Sequence, residues 1–133
     1  MVDAATARAK WTVMVYMAAG DDAQLDGHAV NDLQEMERAA VGPDIDVVVQ
    51  IDRYWPARGQ RYRIGTNGAE LLDANVVTPS SPERPTRSSP EARAAVRSLN
   101  MGSGATLKAF FDWVLEHHPA ERYALVQIGR AHV

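Results

Sequence analysis

The chain has 133 residues, with 46% apolar and 23% charged side chains and a net charge of −3. That is room for one soluble globular domain or part of a larger one, and the charge does not favour nucleic acid or an anionic membrane. With no cysteine, a disulfide framework, a thiolate metal site and a thiol nucleophile are excluded within this chain.

The opening residues 1–10, MVDAATARAK, are polar and read as a loose lead. They have no apolar core, so no signal peptide is expected, and the longest apolar run is too short to span a bilayer. A cytoplasmic location is the default expectation. Trp11–Met17 is an unbroken run of apolar or β-favouring residues, followed by Ala18, Ala19, Gly20 and two carboxylates. A short run of this kind bounded by turn residues suits a strand covered on both faces. Ala23–Ala40 then reads as a helix, with Leu25, Ala29, Leu33 and Met36 on one stripe. Asp21 or Asp22 suits its N-cap, and Gly42-Pro43 stops it.

Ile45–Asp52, IDVVVQID, is a second buried strand that again ends in an acid. Gln60–Thr66 and Ala69–Leu72 read as a more polar hairpin beside the main sheet, because Asn67-Gly68 suits a turn needing positive φ. Residues 78–90, TPSSPERPTRSSP, carry four prolines and nothing to bury, and are expected to form a mobile loop. Pro90–Leu99 suits a short helix. Ser103 is placed to cap a second long helix, Ala105–His118, whose apolar stripe is Leu107, Phe110, Phe111, Val114 and Leu115. Arg122–Val126 begins a third buried strand. The order strand, helix, strand, hairpin, helix, strand predicts an α/β fold with a mostly parallel sheet.

The chain ends in QIGRAHV. Residues 128–133 match one frame of a widely used sequencing adapter, ATC GGA AGA GCA CAC GTC. The adapter's preceding AG fits a CAG codon for Gln127, and its next triplet is the stop TGA. Residues 127–133 are therefore expected to be adapter-derived, with native sequence ending at Val126. Other codons for residues 128–133 would end this idea. His132 lies in that tail and is given no role.

Asp21, Asp22 and Asp52 could meet at one edge of the sheet. Three carboxylates there would suit Mg²⁺ or an acidic pocket for a basic substrate; a helix cap and a strand-end turn acid, on the rim of a cleft, is the preferred alternative. An acidic pair after the first strand also resembles the receiver domains of two-component signalling, but Asp52 comes one βα unit too early for their phosphoacceptor. His28 reads as a surface residue beside the first helix stripe, and His117 and His118 as cations favoured at a helix C-terminus. Neither MAAGDD nor Gly102-Ser103-Gly104 satisfies a phosphate-loop fingerprint. Trp55, Arg58, Arg61, Tyr62 and Arg63 read as an exposed hairpin face rather than a nucleic-acid patch.

Three blocks together resemble the N-terminal part of the clostripain family of cysteine peptidases. They are KWTVMVYMAAGDDAQLD, then NDLQEMERAAVGPDIDVVVQIDR with RYRI, then LNMGSGATLKAFFDWVLEHHPAERYALV. The combination of Lys10–Met17, Asn100-Met101-Gly102 and the Phe111-Asp112-Trp113 helix is the most specific part. Gly20-Asp21-Asp22-Ala23 departs from the family's Asp-Asn-Asn-Leu-like turn, and residues 78–90 look local to this protein.

The resemblance implies a partial caspase-like three-layer sandwich over residues 11–126, truncated after the third core strand. It implies peptide or protein substrates cut after Arg or Lys by a His/Cys dyad, and calcium in some family members. The family's histidine would fall near position 130, which here is Arg130, and its cysteine follows a fourth strand that this chain lacks. Neither catalytic residue carries over. The expected chain is thus an inactive N-terminal fragment whose partner is the missing C-terminal part of its own domain. The other reading is a complete non-catalytic or receiver-like domain with an acidic Mg²⁺-binding edge.

Overall fold

A computed structural model describes residues 9–20, 23–39, 42–54, 59–65, 68–76 and 101–129. The expected mobile loop at 78–90, the short helix at Pro90–Leu99, Asp21, Asp22, Trp55, Arg58 and residues 130–133 lie outside them. The elements in chain order are β1 (Ala9–Ala18), α1 (Ala23–Arg38), β2 (Ile45–Asp52), β3 (Gly59–Gly65), β4 (Gly68–Asp73), α2 (Gly104–His117) and β5 (Ala120–Gly129).

The five strands form one sheet in the order β4-β3-β2-β1-β5. β1 pairs in parallel with both β2 and β5. β3 runs antiparallel to β2, and β4 antiparallel to β3. The hairpin therefore extends the main sheet on one side, with Gly68 at φ +101 where the chain turns back. Only glycine takes that backbone angle without steric cost.

The continuous apolar run of β1 has two faces to fill because side chains alternate along a strand. Met14, Tyr16 and Ala18 pack with Val48, Met101, Phe110 and Val114. Val15, Met17 and Ala19 pack with Ala29, Leu33, Val49, Ile51 and Ile64. α1 thus covers one face and α2 the other, which is the expected three-layer α/β arrangement. Among the described residues no helix is long and apolar enough to cross a membrane.

Three details differ from expectation. α2 packs by most of the expected stripe, with Phe110 and Val114 buried and Leu107 and Phe111 against the same cluster, but Thr106 is buried too and Leu115 is 46% exposed. A threonine can replace an aliphatic residue in the stripe because its hydroxyl finds a partner in the helix or beside it. Arg61 is not on an exposed hairpin face but is buried, since the register sets it opposite Gln50 on the α2 side. β5 also runs past Val126, with Gln127, Ile128 and Gly129 paired to Tyr16, Met17 and Ala18. The origin of those last residues is a matter of codons, not of pairing.

Ser103 caps α2 as expected, its hydroxyl accepting from the Ala105 amide at 3.2 Å. The margin of the α2 stripe gives a test. Phe110→Ala should cost about 3–5 kcal/mol, while Leu115→Ala should cost less than about 1 kcal/mol. Urea denaturation of the two variants measures both, and equal losses would put Leu115 in the core beside Phe110.

Candidate functional site

The two ends of the sheet are built differently. The carboxyl ends of β1, β2 and β5 bring together Ala18-Ala19-Gly20, Asp52-Arg53-Tyr54 and Gly129. In α/β sheets, ligands bind outside this edge, where loops leave parallel strands. The Ala19 amide donates to the Asp52 carbonyl at 3.3 Å, continuing the β1–β2 ladder beyond the strands.

Asp52 is only 4% exposed. A Cβ at Gly20 would collide with the Asp52 carboxylate, and a Cβ at Gly129, whose φ is +94, would collide with the Ala18 carbonyl. The end of β1 is therefore squeezed between a carboxylate and a neighbouring strand, and glycine is required on both sides of it. Of the three candidate acids, Asp52 stands beneath this edge; Asp21 and Asp22 lie outside the described residues. Among the described residues no group of three His, Cys, Asp or Glu is placed to hold a metal ion.

A chain of buried polar groups runs under the edge on the α2 side. The Tyr16 hydroxyl donates to the Met101 carbonyl at 3.0 Å. Burial and then the Asp52 charge push the Tyr16 phenol up to about 12, so it stays a neutral donor. Gln50 Nε2 donates to Met101 Sδ at 3.5 Å, and Gln50 Oε1 accepts from Arg61 Nε at 2.9 Å. The Arg61 guanidinium lies 4.5 Å from the centre of the Trp113 ring and 5.8 Å from that of Phe110, within cation–π range. Burial lowers the Arg61 pKa and the Asp73 charge opposes that. No buried side-chain nitrogen or oxygen among the described residues lacks a partner, so the network stabilises rather than strains the core.

A second polar device holds the loop after β2. Asp26, on α1 and 8% exposed, accepts from Arg53 Nε at 2.6 Å, from Arg53 Nη2 at 3.1 Å and from the Tyr54 amide at 3.1 Å. Its hydrogen bond and charge, against the cost of burial, raise the Arg53 pKa. The sequence reading passed over Asp26. A signal was available: Asp26 is in register with Ala29 and Leu33, the buried side of α1, and an acid in an apolar stripe asks for a buried partner.

The amino end of the sheet is closed by a third group. Asp46 receives Arg63 Nε at 2.7 Å on one oxygen and lies 3.0 Å from His118 Nδ1 with the other. Thr12 Oγ1 donates to the His118 carbonyl at 2.8 Å. His118 also lies against the Trp113 ring, at 5.1 Å between centroids. His117 Nδ1 is 2.9 Å from the Trp113 carbonyl, a bond at the helix C-terminus. His28 is exposed on α1, as expected. The described histidines therefore contribute nothing to the carboxyl edge.

The model of the clostripain family matches residues 15–129. The chain belongs to the clostripain family. Solved structures of similar fold include a cysteine protease of B. fragilis, with TM-score 0.61 and 19% identity, covering 92% of this chain and 90% of that one. An inactive zymogen C11 protease from Parabacteroides distasonis aligns with TM-score 0.63 and 19% identity over 94% of this chain. Only 32% of the zymogen chain is covered, so this chain spans about a third of that relative. A clostripain from Bacteroides thetaiotaomicron, in complex with the peptide inhibitor BTN-VLTK-AOMK, aligns with TM-score 0.57 and 11% identity over 95% of this chain and 92% of that one. At these identities the structural likeness shows the fold. No curated protein matches the chain.

Within that family fold, the contrast between the two edges yields two measurable consequences. Gly20→Ala should destabilise by displacing the Asp52 carboxylate. Gly27→Ala, exposed in α1 with open space around it, should stabilise by about 0.5–1 kcal/mol; thermal unfolding separates the two signs.

At the amino edge, burial pushes the Asp46 carboxyl up, but hydrogen bonds and charge from His118 and Arg63 outweigh it and hold the group below its usual value. A carboxyl depressed by folding contributes stability above its unfolded value, near pH ~4, and loses it as pH falls through the folded one. The stability gap between wild type and Asp46→Asn should therefore be widest at neutral pH and close in acid. A gap that stays constant down to about pH 2–3 would contradict the assignment.

Proposed function

We propose that this chain is the N-terminal part of a clostripain-like cysteine endopeptidase that cuts after Arg or Lys. The observation that carries this reading is the family match over residues 15–129 together with a carboxyl edge whose backbone is packed too closely for side chains at Gly20 and Gly129. That packing fills the space beside Gly20 and Gly129 with the chain's own Asp52 and Ala18 and so fixes the shape of the edge, outside which parallel sheets take ligands.

In the parent enzyme a histidine takes the proton of a cysteine thiol, and the thiolate adds to the scissile carbonyl. Backbone amides hold the resulting oxyanion, and the amine leaves with the proton returned by the histidine. Water then releases the acyl group from sulfur. This chain has no cysteine, and we place both dyad members in sequence beyond it, with residues 127–133 derived from adapter.

The chain's own contribution is positional. Met101 is fixed by Tyr16 and Gln50, which sets the start of α2 under the edge. Asp52 underpins the β1 turn from beneath Gly20. The partner is the remainder of the same domain, paired to the outer edge of β5, and any calcium requirement belongs to the assembled enzyme.

The test uses an acetylated, amidated peptide with the Val-Leu-Thr-Lys sequence of the inhibitor bound by the B. thetaiotaomicron clostripain. In titrations followed by amide chemical shifts, changes should centre on Ala19, Gly20 and Asp52 and spare Asp46 and His118. The peptide should remain uncut with or without a reducing agent. Thiol-dependent cleavage by this chain, or shifts confined to the amino edge, would overturn the reading.

A further inference from the structure

Asp52 ends β2, but it is packed under Gly20 and almost without exposure. The next exposed large side chain at this edge is Tyr54, two residues on and 44% exposed. A residue that has just left a strand normally has a solvated backbone and a loose position. Here the opposite holds. Both oxygens of Asp26 are spent on two consecutive residues: three hydrogen bonds run from the Arg53 guanidinium and the Tyr54 amide to one carboxylate. The ion pair is largely out of solvent, with side-chain exposures of 21% for Arg53 and 12% for Asp26.

A buried ion pair is weak evidence for stability, because removing both charges from water cancels much of their attraction. What such a pair does supply is a fixed geometry, and a bidentate guanidinium–carboxylate contact supplies it best. The thing fixed is the amide of an exposed tyrosine on the edge where parallel sheets take ligands. Tyrosine is a large, stiff, amphipathic contact surface that loses little conformational entropy on binding.

We propose that Tyr54 is a peptide-contacting residue of the cleft and that Asp26 is its positioning residue, acting through the bond to the Tyr54 amide and the clamp on Arg53. The inference rests on the peptidase reading above and adds to it an apolar packing contact of the ring with a substrate side chain away from the scissile bond. Nothing in the Tyr54 ring takes part in bond making or breaking.

The experiment is a double-mutant cycle on the 133-residue chain with the same tetrapeptide, read as Kd. Tyr54→Ala should weaken binding about tenfold and Tyr54→Phe less than about twofold, since the ring and not the hydroxyl supplies the contact. Asp26→Asn should weaken it about fivefold while the ring is present. In the Tyr54→Ala background it should add less than about twofold, because a positioning residue matters only through what it positions.

Additive losses, or a Tyr54→Ala variant that binds as the wild type does, overturn the inference and leave the peptidase reading standing. If the wild-type chain does not bind the peptide at all, the placement of substrate on this edge fails, and the inference falls with it. Should Asp26→Asn fail to fold, Arg53→Lys takes its place in the cycle with the same expected losses, because it breaks the bidentate clamp on the same loop.

Discussion

The parallel pairing of β1 with a strand on each side is the constraint from which the other features follow. From Thr12 onward β1 is hydrogen-bonded along both edges and covered on both faces. Its side chains must then be apolar on both faces, and a helix must cover each. The sequence Val13–Met17 meets the first demand, and α1 and α2 meet the second. The carboxyl end of β1 inherits the crowding: Ala18 has Gly129 on one side and, through Gly20, Asp52 on the other.

Polar side chains divide the remaining work between the ends of the sheet. At the amino end Asp46, Arg63 and His118 tie β2, β3 and the end of α2 together. In the middle, Arg61 crosses from the hairpin to the aromatic face of α2 and takes Gln50 on the way. At the carboxyl end Asp26 ties α1 to the loop after β2. The first two groups hold the layers in register. The third acts on a loop at the edge where parallel sheets take ligands, which is why it has a functional reading and the others do not.

Membership of the clostripain family gives this arrangement its context. The strand order and the two helices make up about a third of the zymogen chain from Parabacteroides distasonis, while the B. fragilis and B. thetaiotaomicron chains are matched over nine tenths of their length. A unit of this size is therefore a recurrent block of the fold. β5 is bonded along one side only among the described residues.

The sequence by itself determined the order and type of the elements. Apolar runs flanked by turn residues gave β1 and β2, Asn67-Gly68 gave the hairpin, and Ser103 gave the start of α2, because each of these signals is local. It also supplied the family, since three blocks in order are more specific than any one. Tertiary structure alone decided which long-range partners the polar residues take. Arg61 on a polar hairpin looks exposed until register places it opposite Gln50 and under Trp113. Asp26 looks like a first-turn acid favoured by the helix dipole until Arg53 closes on it. Leu115 looks like core until the helix turns Thr106 inward instead. Periodicity reports that a helix or strand has an inside; only packing fixes how far the element is rotated and what charge waits across the gap.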